Sequence, residues 1–206
     1  MEFNEEQKVE EQKVEEQKTE GQKPKKVIKT VLYVVLVLII AVAGGTLKGL
    51  YSKGFFTKAQ TQTFTKADYS ITLTTDFSDT TDTTSVSGYA GCFQSDDVMV
   101  LVIKEDKDMF SQAGADINDI TLADYAGLVH DSTASQNENP TAIETKNGFT
   151  TFNYTMTDID GTTATCVTIM LKGTDAYWTF GFVCKTIGLS KYENKFFDWA
   201  KTITVQ

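Results

Sequence analysis

Residues 30–47 read TVLYVVLVLIIAVAGGTL and carry no charge. As a helix these 18 residues would extend about 27 Å, close to the ~30 Å hydrocarbon thickness of a bilayer. Eleven of them are Val, Leu or Ile. At about −0.3 to −0.6 kcal/mol each near the helix centre, these side chains favour insertion by roughly 3 to 6 kcal/mol. A helix on the surface of a soluble core would keep a polar stripe, and none exists here. The segment is therefore expected to be a single transmembrane anchor, and it divides the chain.

Orientation follows from lysine placement. Lys18, Lys23, Lys25, Lys26 and Lys29 precede the apolar run, while Lys48, Lys53 and Lys58 follow it. The excess on the first side points the N-terminus to the cytoplasm and the C-terminal part outward. Lys25, Lys26 and Lys29 followed by Ala41-Val42-Ala43 also resemble a signal peptide with a small-residue cleavage site, which would release a secreted form. The leader before the apolar run is about twice the usual length of a short basic n-region, which favours an uncleaved anchor. No Cys lies near the run, so a lipid-modified terminus is not supported.

Residues 1–29 form a charged repeat tail. EEQKV at 5–9 recurs at 10–14, then becomes EEQKT and EGQK. A five-residue step turns a helix by about 140° net, so Val9, Val14 and Thr19 share no face and make no coiled-coil seam. The tail reads as solvated and cytoplasmic. Residues 48–66 read as a stalk, and residues 67–206 as the folded, extracytoplasmic domain. From residue 60 onward there are 9 Lys against 20 Asp or Glu, a net charge of −11. The whole chain has no Arg and a net charge of −9. Nucleic acid is excluded as a partner, because phosphate binding needs clustered basic side chains. The implied partner is a protein or small ligand, with basic or cationic chemistry favoured.

Within the folded part, Tyr69-Ser70-Ile71-Thr72-Leu73 alternates as a strand does. Gly88 to Gln94 and Asp97 to Lys104 suggest two strands around a turn near Ser95-Asp96. Val98 to Ile103 is apolar at every position, the pattern of a strand covered on both faces. Thr121-Leu122-Ala123-Asp124 is a capping box, opening a helix that ends near Ser132. Asn147-Gly148, Asp160-Gly161 and Gly173-Thr174 mark three hairpin turns of a meander. Ser190 and Glu193 suggest a second capping box. Tyr192, Phe196, Trp199 and Ile203 follow as one apolar stripe. The expected fold class is α+β: an antiparallel sheet of six or seven strands with helices on both faces, a three-layer sandwich.

This order of elements resembles the PsbP/Mog fold. The features that carry the resemblance are Tyr69–Leu73 followed by Phe77, the buried strand Val98–Lys104 and the helix opening Thr121–Tyr125. Asn147-Gly148, the aromatic pair Tyr177-Trp178 and the final Phe196-Phe197-Asp198-Trp199-Ala200 complete it. The resemblance covers 67–206 and implies a non-enzymatic binding or assembly domain, by analogy of fold. No residue of a photosystem-binding or Ran-binding surface can be matched.

Reactive constellations are sparse, and no catalytic, cofactor-binding or metal-binding residue is assigned. His130 is the only His, so no multi-histidine zinc site can form; its place near a helix end suits a structural or surface role. Asp158-Ile159-Asp160-Gly161 begins like a calcium loop, but Ile169 stands where the twelfth-position Glu belongs. Asp76, Asp79 and Asp82, and likewise Glu105, Asp106 and Asp108, read as solvated loop charge, the rival being a weak divalent-ion site if the two loops converge. A turn at Gly173-Thr174 would set Lys172 opposite Asp175, Cys166 opposite Gly181 and Cys184 opposite Thr163. Cys166 and Cys184 then occupy opposite faces and cannot bond. A bond from Cys92 to either one is left open by this geometry, but Cys92, Cys166 and Cys184 are expected as three free, largely buried thiols. The leading reading is a membrane-anchored binding or assembly domain of the cell envelope. The rivals are an envelope hydrolase with a carboxylate site and a cytoplasmic adaptor of inverted topology.

Overall fold

The computed structural model describes residues 60–83, 88–112, 114–136, 139–157 and 161–206. The repeat tail 1–29, the apolar segment 30–47, residues 48–59 and Asp158 to Asp160 lie outside the described residues. Among those described, no helix is long and apolar enough to cross a membrane.

Among the described residues, ten strands and three helices follow one another. β1 is Thr61–Thr65, β2 Tyr69–Thr74, β3 Ser78–Asp79, β4 Gly91–Gln94 and β5 Val98–Asp106. Next come α1 (Lys107–Gln112), a 3-10 turn at Ile117–Asp119 and α2 (Leu122–Ser135). The meander is β6 (Glu144–Lys146), β7 (Phe149–Thr157), β8 (Thr163–Lys172) and β9 (Ala176–Lys185). A second 3-10 turn at Thr186–Gly188 leads into α3 (Leu189–Ala200), and β10 (Thr204–Val205) closes the chain.

β3 to β9 form a seven-stranded sheet in the order β3-β4-β5-β9-β8-β7-β6, and every paired neighbour is antiparallel. β5 is buried along its apolar run, and period-two alternation divides its side chains. Met99, Leu101 and Ile103 join the core beneath α1 and α2, with Phe110, Tyr125, Ala126 and Val129. Val98, Val100 and Val102 join the core beneath α3, with Phe182, Phe196 and Trp199. The three-layer arrangement follows from that strand.

The sequence suggested a single sheet; the structure has two. β2 leaves the main sheet and pairs with β1 and β10 in a small sheet on the α3 side. Its alternation is the reason. Tyr69, Ile71 and Leu73 are buried, whereas Ser70, Thr72 and Thr74 are only half-buried. A strand apolar on one side alone suits an outer layer better than the middle of a sandwich. Thr61–Thr65, placed in the stalk on sequence grounds, forms β1 and pairs along all of β2.

Two turn details also differ. The β8–β9 register sets Lys172 opposite Tyr177, and Gly173 N–H donates to Ala176 O at 2.9 Å. The loop pair is therefore Thr174-Asp175, one position later than the Gly173 signal suggested. Gly173 is small for another reason: a Cβ there would lie 2.2 Å from the Gln206 carbonyl oxygen. Cys166 now faces Val183 and Cys184 faces Thr165. A shift by two keeps parity, so the two thiols stay on opposite faces of the sheet. By contrast Asn147 (φ 53°) and Gly148 (φ 87°) adopt the left-handed geometry that a type I′ turn requires.

The Thr121–Asp124 capping box is present, and α2 runs to Ser135, one turn past the expected end. The Ser190–Glu193 box is not. α3 starts at Leu189 with Gly188 as an N-cap that offers no side chain. Glu193 is drawn instead to Lys146 on β6 at 2.6 Å.

Candidate functional site

At one end of the main sheet, the β4–β5 turn and the start of α3 enclose a surface pocket. It has a volume of about 150 Å³ and is lined by Asp97, Cys184, Lys185, Ile187, Gly188, Lys191 and Tyr192. The fold positions each group for a local reason. Ser95 N–H donates to Val98 O at 2.9 Å, closing a tight turn that pushes Asp97 outward. β9 ends just beyond Cys184, which sits opposite Val98. The 3-10 turn then carries Ile187 out of the fold, and the first turn of α3 brings Lys191 and Tyr192 back over Asp97.

The polar groups of the pocket are paired with one another. Tyr192 Oη donates a short hydrogen bond to Asp97 Oδ2, and Lys191 Nζ donates to the same oxygen at 3.0 Å. The Tyr192 bond leads in holding the Asp97 carboxyl below its usual range; partial burial opposes it and Lys191 adds to it. Tyr192 is raised in turn, by burial first and then by Asp97. Cys184 lies under the floor at 0 % exposure. Burial, with a smaller contribution from Asp97, pushes its thiol up to about 11. A thiol held there stays protonated near neutral pH and is a poor nucleophile. Ile187 stands at the rim, 92 % exposed. The arrangement is suited to recognition: an apolar handle beside a concavity whose one carboxylate is already engaged.

Of these residues only Cys184 stood out on sequence, as an expected buried thiol. Tyr192 read as part of the apolar stripe, and its hydroxyl was the overlooked signal. Ile187, isolated between Lys185 and Gly188 after a strand rich in apolar and aromatic residues, was the other.

The other candidate residues fall elsewhere. His130 on α2 hydrogen-bonds through Nε2 with Thr141 O at 3.1 Å and meets Phe152 edge-on at 5.2 Å. It ties the helix to the segment before β6. Asp79 on β3 pairs with Lys66 at 2.6 Å. Partial burial raises its carboxyl, but the bonds from Lys66 and Thr81 outweigh that and hold it low. Asp106 pairs with Lys104 at 2.7 Å, while Glu105 turns inward and is 1 % exposed. Among the described residues no three His, Cys, Asp or Glu side chains gather as a metal ion needs. Of the calcium-loop signal only Gly161 is described, with the positive φ of a turn (80°).

No protein-family model matches the chain, and no curated protein matches it. Solved structures do. PsbP from the cyanobacterium Synechocystis is 13% identical over 76% of this chain and 99% of its own, with a TM-score of 0.48. The Ran-binding protein Mog1p of Saccharomyces cerevisiae is 8% identical over 72% of this chain and 96% of its own, at 0.46. LpqN of Mycobacterium tuberculosis, a protein involved in cell envelope biogenesis, is 10% identical over 73% and 92%, at 0.41. Likenesses of this size concern the arrangement of elements and carry no ligand or partner across.

Proposed function

We propose that this chain is a membrane-anchored, extracytoplasmic binding or assembly domain of the cell envelope, held by residues 30–47 and without catalytic activity of its own. One observation carries the binding role: Ile187 projects almost fully into solvent beside the Asp97–Tyr192 pocket. A large apolar side chain so exposed gains most by being covered, at about 1.5–3 kcal/mol for complete burial. The partner is a protein whose contact surface supplies an apolar group for the pocket and basic groups for the acidic surface beyond it. The basic preference rests on the net −11 of residues 60–206.

The pocket supports this reading over hydrolysis. Its one carboxylate is engaged by Tyr192 and Lys191, and its thiol is held protonated.

The test is a photo-crosslinking residue at position 187 in intact cells. A discrete adduct is expected, and it disappears when Tyr192→Ala opens the pocket wall. Ile187→Asp is expected to lower partner affinity at least tenfold while changing stability by no more than about 0.5 kcal/mol, as exposed positions do. A folded, externally exposed domain that gives no adduct from position 187 contradicts the proposed site.

A further inference from the structure

Glu105 is the one inward-facing acid of β5. Its neighbours Lys104 and Asp106 point to the opposite side of the sheet and pair with each other at 2.7 Å. Glu105 is 1 % exposed, and neither carboxyl oxygen makes a well-formed hydrogen bond; the Tyr125 hydroxyl is the polar group beside it. A buried carboxylate with no compensating cation is strongly disfavoured, whereas the protonated acid is tolerated.

The surroundings offer no compensating cation. Tyr177 on β9 lies opposite Glu105, and Tyr125 comes down from α2. The Tyr125 hydroxyl pairs with Thr179 Oγ1 at 2.8 Å. Lys172 on β8 occupies the same cross-strand row beyond Tyr177, two strands or about 10 Å away. Its ammonium is committed elsewhere, donating to Ile117 O at 3.3 Å and Ile120 O at 2.9 Å. Lys107 and Asp108 on α1, Asp116 and Asp119 around the 3-10 turn, Asp124 on α2 and Asp175 in the β8–β9 loop are all exposed.

The cover over Glu105 is thin. α1 has six residues and buries only Phe110, edge-on to Tyr177 at 5.6 Å. The 3-10 turn buries only Ile117. Segments with so few buried contacts open first. Opening would also free Lys172, whose present acceptors belong to that cover.

We propose that Glu105 is a proton-controlled latch. Protonated, it lets α1 and the 3-10 turn close on the sheet; ionised, it releases them and uncovers the Phe110, Tyr125 and Tyr177 rings while the sheet stays folded.

The sign follows from the closed state. Burial pushes the Glu105 carboxyl up from its ordinary 4.5 to about 7, against which the Tyr125 hydroxyl pulls. An acid raised in the closed state stabilises closure fully below about pH 4.5 and loses that contribution as the pH rises to about 7. Opening therefore increases with pH across this window and levels off above it.

The test is hydrogen exchange read by mass spectrometry on the full chain in nanodiscs, corrected for the intrinsic pH dependence of exchange. Peptides of α1 and the 3-10 turn are expected to exchange faster than those of β8 and β9 at every pH. Their opening constant is expected to rise on the order of 10- to 100-fold from about pH 5 to about pH 7.5. In Glu105→Gln, an uncharged near-isostere, the rise vanishes. Equal protection of α1 and the β8–β9 core overturns the latch. So does a pH-dependent rise that persists in Glu105→Gln. The wild-type profile alone decides the matter should the variant fold poorly, since a flat profile is equally fatal.

Discussion

Single atoms decide several features of this domain. A Cβ at Gly91 would lie 1.8 Å from the Tyr69 hydroxyl, which itself donates to Ala90 O at 3.2 Å. Tyr69 also packs on Trp178 and Phe180, so its ring has little freedom to retreat. Gly91→Ala is expected to destabilise the domain by about 2 kcal/mol or more. A lowered urea midpoint with an unchanged slope is the signature, and an unchanged midpoint would show that the small sheet shifts freely over the main one. Sequence could not reveal this position: Gly91 sits in an ordinary strand pattern, and the hydroxyl that forbids a side chain comes from 22 residues away. Glu105 was hidden for a related reason. In Lys104-Glu105-Asp106 the three charges look alike, and only the register against Tyr177 turns the middle one inward.

Elements were legible where a local rule and the core agreed. The Thr121–Asp124 box formed because each side chain caps the other's backbone: Thr121 Oγ1 accepts from Asp124 N–H and Asp124 Oδ2 accepts from Thr121 N–H, each at 3.1 Å. The Ser190–Glu193 box had the same local pattern but a competitor, since Lys146 holds Glu193 at 2.6 Å. The two sites make a paired prediction. Thr121→Ala is expected to lower stability by about 1 kcal/mol, and Ser190→Ala by less than about 0.5 kcal/mol. Thermal unfolding of both variants checks it, and equal losses would mean that Ser190 caps α3 in solution. The alternation of β2 announced a one-sided strand, yet nothing local said that it would leave the main sheet. Its partners β1 and β10 come from the two ends of the folded part, and such long-range pairing is invisible to windows of neighbouring residues.

At the scale of the molecule, the doubly covered β5 was the strongest signal in the folded part, and it dictated layers on both faces. The pocket was not legible, because it assembles from the β4–β5 turn, the end of β9 and the first turn of α3. The charge balance of the folded part was legible and gives the expectation of a basic partner, whose binding should weaken with salt as exposed charges are screened. Residues 30–47 set the remaining claim, that the domain is held at a membrane and faces outward. Protease treatment of intact cells, with the released peptides read by mass spectrometry, tests that claim most directly. The account predicts release of peptides from residues 61–206 before lysis, with the anchor retained in the membrane fraction. Protection of the same residues until lysis, followed by digestion once the domain is unfolded, would contradict it and place the domain in the cytoplasm.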